Sequence, residues 1–272
     1  MSNLISFKGD RWEYETFGNG NEPLLSFHGF DTHASSFKIL EPSLGKIFKI
    51  FSFNLPFHGN SSPGNKELCY DRNDLYALFE EFIKEHSISR FSLMGYSLGG
   101  RIALQLIELF PDRIDTAILL APAGILNTWE NNFITNNILG KRVNQHIIND
   151  PSPLFALVKL LRSLGIISPK RYEFVVNQLS TREKRQLVSD VWKCFHRIKP
   201  DVANLQHILN KRKINVHLFF GKYDAIIPPA IGERFVSKLN DKSVLHIVEM
   251  GHNLLKEKMN DELSAILGTH SS

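Results

Sequence analysis

The chain has 272 residues, 43% of them hydrophobic, and a formal charge of +4. That length and apolar share suit one α/β domain with an insertion and a large buried core. The charge is too mild, and Lys and Arg too scattered, for a nucleic-acid groove. No run reaches the ~18 apolar residues of a membrane span, and residues 1–5 lack a signal-peptide pattern.

A cytoplasmic protein with no membrane span is therefore expected. Cys69 and Cys194 are expected as free thiols of a reducing compartment.

Residues 5–7 and 12–17 predict two short strands. The second alternates aromatic and charged side chains, as in Trp12-Glu13-Tyr14-Glu15, which suits a half-exposed antiparallel edge. After the turn signal Gly18-Asn19-Gly20, residues 23–27 predict a buried strand that ends in His28-Gly29-Phe30. A glycine just past a strand allows close backbone approach, so the Phe30 N–H is a candidate oxyanion donor. A helix is expected over 34–44 and a strand over 47–53. The loop 54–61, NLPFHGNS, follows, and His58 within it reads as a loop-stapling hydrogen bonder. Leu75, Leu78, Phe79, Phe82 and Ile83 stand at helical spacing, which predicts an amphipathic helix over 71–86.

Next comes FSLMGYSLGGR, residues 91–101, where a short apolar run meets a serine between glycines and then a helical pattern. This reads as strand, sharp turn and helix. Gly95 and Gly99, two residues either side of Ser97, let strand and helix approach without Cβ clashes. Ser97 would stand at the tip with its hydroxyl pushed out of the sheet. The N–H of Leu98 would open the new helix, where unpaired amides and the helix dipole favour an oxyanion. The helix is expected to end before Pro111, and 116–121 predicts a parallel strand covered on both faces.

From 124 to 209 helical periodicity recurs without strand signals. The reading is therefore an α/β core over 1–123 and 210–272, interrupted by a helical cap over 124–209. The insertion carries twelve Lys and Arg against six Asp and Glu, so about +6 of charge lies there and −2 elsewhere. Such asymmetry can steer an acidic small-molecule substrate. Strand character returns at 214–220, ahead of Asp224, and at 244–248, ahead of His252. Helices are expected over 229–239 and up to about 267. Strands alternating with helices imply a mainly parallel sheet whose ligands bind beyond the carboxyl ends of the strands, where Phe30, Ser97, Asp224 and His252 would gather.

A serine hydroxyl becomes nucleophilic when an imidazole removes its proton, and the imidazole needs an acceptor on its other nitrogen. Ser97, Asp224 and His252 occur in the chain order expected for such a sheet. With His28-Gly29-Phe30, Gly95-Tyr96-Ser97-Leu98-Gly99-Gly100, Gly221-Lys222-Tyr223-Asp224 and Gly251-His252, the chain resembles the α/β-hydrolase superfamily over nearly its whole length. The resemblance implies an eight-stranded sheet with helices on both faces, a cap after the sixth strand, and Ser97, His252 and Asp224 as a triad. Residues 54–61 resemble that family's D-x-P-G-H-G-x-S loop, with Asn54 in place of Asp and Phe57 in place of the first Gly.

The elbow is also similar to that of the menaquinone-pathway synthase that eliminates pyruvate. That likeness implies that Tyr96 and Arg101 belong to the active site, and His28 is expected beside them on the substrate side.

The leading expectation is serine-dependent hydrolysis of a small ester, thioester, lactone or C–C bond. The pyruvate-eliminating lyase and a non-catalytic ligand receptor are the alternatives. No metal-ligand spacing or phosphate-cradling glycine loop is present in the sequence, so no cofactor is expected. Monomer and homodimer both remain open.

Overall fold

The computed structural model of the protein describes residues 2–64, 69–125, 138–240 and 243–268. The chain divides into two compact units, one of residues 1–64, 71–126 and 198–272, the other of 65–70 and 127–197. The segment 126–137, near the start of the expected cap, lies outside the described residues.

The first unit is built on eight strands: β1 (Ser2–Phe7), β2 (Asp10–Phe17), β3 (Glu22–Phe27), β4 (Phe48–Phe53), β5 (Phe91–Tyr96), β6 (Ile114–Leu120), β7 (Asn215–Gly221) and β8 (Ser243–Val248). They line up in the order β1-β2-β4-β3-β5-β6-β7-β8. The β1·β2 and β2·β4 pairs are antiparallel and every later pair is parallel. The eight-stranded, mainly parallel α/β sheet expected from the sequence is present.

Alternate residues of a strand face opposite sides, and both sides here are apolar. On one, Phe27 stacks on Phe53 at 5.4 Å, and Phe79 of α2 (Arg72–Glu85) meets both rings edge-on. On the other, Leu24, Ile50, Met94 and Ile118 pack with Leu263 and Ile266 from the helix Met259–Gly268. Burial on both faces is what parallel strands with helical crossovers require.

Three local expectations need correction. The helix expected over 34–44 is a 3-10 segment, Ala34–Leu40, followed by the short α1 (Glu41–Leu44). β2 is an interior strand rather than a half-exposed edge, and Glu13 on it is buried, 5% exposed, because three donors close around its carboxylate. Residues 198–209, grouped with the insertion on periodicity alone, cluster with the sheet unit. There the buried carboxylate of Glu108, on α3 (Leu98–Leu109), accepts the Asp201 N–H at 3.0 Å and the Asn204 amide at 3.3 Å. A charged group inside the fold must find donors, and these come from the N-terminus of the helix Val202–Lys211.

Among the described residues, the second unit holds four helices: α4 (Ile138–Asn149), α5 (Ser152–Ser163), α6 (Pro169–Gln178) and α7 (Arg182–Phe195). Arg185 on α7 ties α4 and α6 to that helix, donating to Ile148 O and to Leu179 O, both at 2.9 Å. These carbonyls lie at the C-terminal ends of α4 and α6, where a cation complements the helix dipole. Cys69 and Cys194 are not disulfide-bonded.

Candidate active site

The elbow has the geometry its glycines imply. β5 ends at Tyr96, α3 begins at Leu98, and Ser97 between them is held at φ 49°, ψ −113°. A Cβ on Gly99 would stand 1.9 Å from Phe27 O, so only glycine lets α3 start this close to β3. Ser97 is fastened by its own backbone: its N–H donates to Leu120 O at 2.9 Å, and its carbonyl accepts from Gly100 N and Ala123 N at 3.0 and 2.8 Å. These contacts hold an L-residue where an isolated chain would rarely put it. Backbone strain of this kind costs about 1–3 kcal/mol, against about 0.5–1 kcal/mol for the extra unfolded-state freedom of glycine. Ser97→Gly is therefore expected to raise the free energy of urea unfolding by about 1 kcal/mol.

The side chains that follow strand ends converge on this serine. Ser97 Oγ lies 3.0 Å from His252 Nε2, and His252 Nδ1 lies 2.7 Å from Asp224 Oδ2. The other oxygen, Asp224 Oδ1, accepts the N–H groups of Ile226 and Ile227 at 2.7 and 2.9 Å. Asp224 is thus both a turn-capping carboxylate and the partner of the imidazole, its side chain fully buried while that of His252 is 15% exposed. Two more backbone bonds knit the strand ends together, Lys222 N to Val248 O and Tyr223 N to Met250 O. They join the turn carrying Asp224 to the one carrying His252. Hydroxyl, imidazole and carboxylate form one unbroken chain of hydrogen bonds at the carboxyl edge of the sheet.

Residues 22–152 match the sequence model of the alpha/beta hydrolase fold. The chain has the fold of the α/β-hydrolase superfamily. It is 26% identical over 272 residues to the dihydrolipoyllysine-residue acetyltransferase component of an acetoin cleaving system from Pseudomonas putida, covering 96% of this chain and 67% of that one. It is 30% identical over 149 residues to the human serine hydrolase-like protein 2, covering 52% of this chain and 46% of that one. In fold it is similar to a thermophilic esterase from Thermogutta terrifontis, with TM-score 0.68 at 16% identity, covering 99% of this chain and 98% of that one. The match to the human relative thus spans less than half of that protein's length.

In this fold, Leu98 opens α3, where its N–H has no acceptor within the helix. Gly29 lies against the elbow: a Cβ there would be 2.8 Å from the Tyr96 ring and 3.3 Å from Ser97 Cβ. The backbone carrying Phe30 therefore runs past the serine. The Tyr96 ring is buried, 5.6 Å from that of His252, and burial together with the nearby Asp224 carboxylate pushes its hydroxyl pKa upward. Arg101, one turn into α3, is 6% exposed, its stem beside Gly124, and burial lowers its pKa to about 10. Among the described residues, no group of three or more His, Cys, Asp or Glu side chains could hold a metal ion.

His28 does not belong on the substrate side. It is wholly buried; its Nδ1 donates to Gly29 O at 2.6 Å, and its Nε2 accepts from Leu55 N at 3.0 Å. Both ring nitrogens are committed to backbone, so it is a strut between the Phe30 loop and the loop 54–61. His58 makes a second strut, accepting from Asp31 N at 3.3 Å and donating to Pro56 O at 3.1 Å. The departures at 54 and 57 are accommodated in different ways. Phe57 adopts φ 68°, the left-handed conformation that a glycine would take at less cost. Asn54 accepts from Ala34 N and donates to Glu13 Oε2, both at 2.7 Å, so the carboxylate of this network comes from β2. Only the reading of Glu13 as a charged outward residue hid it.

Both struts work only as neutral imidazoles, because a proton on Nε2 would turn an acceptor toward an N–H donor. Burial, reinforced by the neighbouring imidazoles, lowers the pKa of His28 and of His58 below the ordinary 6.5. Below about pH 6.5 the unfolded chain then binds more protons than the native one, so stability falls as pH falls. Each group contributes up to about 1.4 kcal/mol per pH unit. Urea midpoints measured between pH 7 and pH 5 should decline, with a shallower decline for His58→Asn; a flat wild-type profile would refute the assignment.

Proposed function

We propose that the protein is a serine hydrolase cleaving a small ester, thioester, lactone or C–C bond, with Ser97 as nucleophile. The observation that carries this reading is the chain Ser97 Oγ, His252, Asp224 at 3.0 and 2.7 Å. In an ester, Ser97 Oγ attacks the carbonyl carbon while its proton passes to His252 Nε2. The negative charge that moves onto the carbonyl oxygen is received by the N–H groups of Leu98 and Phe30. Collapse of that intermediate expels the alcohol, which takes the proton from His252 and leaves an acyl-serine. Water, deprotonated by the same imidazole, attacks the acyl carbon and regenerates the hydroxyl.

Asp224 holds the imidazole in the tautomer that bears hydrogen on Nδ1 and stabilises the imidazolium in each half-reaction. Tyr96 and Arg101 are assigned to the substrate side. A guanidinium there would suit a carboxylate-bearing substrate.

The test uses the purified protein with p-nitrophenyl acetate and butyrate and with a fluorophosphonate probe. Turnover, and labelling mapped to Ser97 by peptide mass, are expected. Neither turnover nor labelling would overturn the reading.

A further inference from the structure

The second unit carries an apolar face that its own fold leaves uncovered. α5 turns Val158 inward, 6% exposed, while Leu157, Leu160 and Leu164 stand outward at 52%, 54% and 63%. Their spacing of three and four residues puts them on one side of the helix. The stripe continues beyond the helix end. Gly165, at φ 72°, closes α5 with Gly165 N donating to Arg162 O and Ile166 N to Leu161 O, both at 3.0 Å. This C-terminal turn holds Ile166, 65% exposed, next to the leucines. Such a cluster is larger than the scattered apolar residues of an ordinary surface.

The charges around it are mainly positive, with the exposed Asp150 and Glu173 at its margins. Between residues 151 and 172 the sequence has Lys159, Arg162, Lys170 and Arg171 and no Asp or Glu. All four cations are exposed, and Arg162 lies over the Tyr172 ring at 4.7 Å. Large aliphatic side chains flanked by cations, with an aromatic ring among them, match the interface of an anionic bilayer, where apolar groups enter the acyl boundary and cations meet phosphates. A second copy of this chain fits poorly. A two-fold contact sets the same patch against itself and would bring like charges together.

We propose that the face formed by Leu157, Leu160, Leu164 and Ile166, with its surrounding cations, docks the protein on an anionic phospholipid surface. The proposal is independent of the triad chemistry. Its test reads binding alone, by co-sedimentation of the full chain with vesicles of phosphatidylcholine, or of phosphatidylcholine mixed with phosphatidylglycerol.

The wild type should partition onto the mixed vesicles at least about tenfold more strongly than onto the neutral ones, and high salt should reduce that preference. Leu160→Glu with Leu164→Glu should reduce binding to mixed vesicles at least about tenfold. Lys159→Gln with Lys170→Gln and Arg171→Gln leaves the apolar stripe intact and should remove the preference for anionic lipid, circular dichroism reporting the fold of each variant. Equal binding to both vesicles, or none to either, overturns the proposal. So does a concentration-dependent wild-type dimer that Leu160→Glu dissociates.

Discussion

Ser97→Ala is expected to remove fluorophosphonate labelling completely and to lower p-nitrophenyl ester turnover by about 10⁶-fold, the scale seen when a nucleophile of this type is deleted. The reason is local: without Oγ nothing stands 3.0 Å from His252 Nε2 to give up a proton and form the acyl bond. Unfolding cannot be the cause. Alanine at φ 49° meets the same backbone strain as serine, and the bonds from Leu120, Gly100 and Ala123 that hold residue 97 are all to its main chain. Urea unfolding of the variant should lie within about 0.5 kcal/mol of wild type. Undiminished labelling would show that another residue is the nucleophile.

Asp224→Asn is expected to cost about 10⁴-fold in kcat through the wrong imidazole tautomer. The orientation of the new amide is decided by its surroundings. Its oxygen must take the place of Oδ1, because Ile226 N and Ile227 N both need an acceptor there. The NH₂ group then faces His252 Nδ1, at the position from which Oδ2 now accepts at 2.7 Å. A donor at that point makes Nδ1 the acceptor and moves the ring proton to Nε2, where it meets Ser97 Oγ and leaves no base. Steady-state kinetics of the two variants, run with their urea curves, separate chemistry from folding. A nearly unchanged rate for Asp224→Asn would require a different acid.

Much of this site was legible because its constraints are local. The glycines around Ser97 and the turns that follow β7 and β8 each concern a few adjacent residues, and the distant serine, acid and histidine add only their order along the chain. Those residues face the same steric and hydrogen-bonding demands in any chain that makes the turn. What the sequence hid depends on distant partners. Glu13 reads as a solvent-facing strand residue until Asn54 and Asn60 are brought against it. The helix Val202–Lys211 has the same periodicity as the inserted helices, but the buried Glu108 carboxylate and the Phe235 carbonyl, distant in sequence, hold it to the sheet unit. The role of His28 is likewise set by a distant partner, because Leu55 N, contributed by the loop after β4, occupies its remaining ring nitrogen.

The pairing of Glu13 with Asn54 also constrains how this loop can change over generations. An aspartate at 54, reached in one step, would set two anions in contact where an amide now donates at 2.7 Å. An apolar residue at 13 would strip that amide and the Asn60 amides of their acceptor. Each route passes through a handicapped ancestor, so the two positions are expected to be inherited as a couple, with exchange between them a rare, paired event.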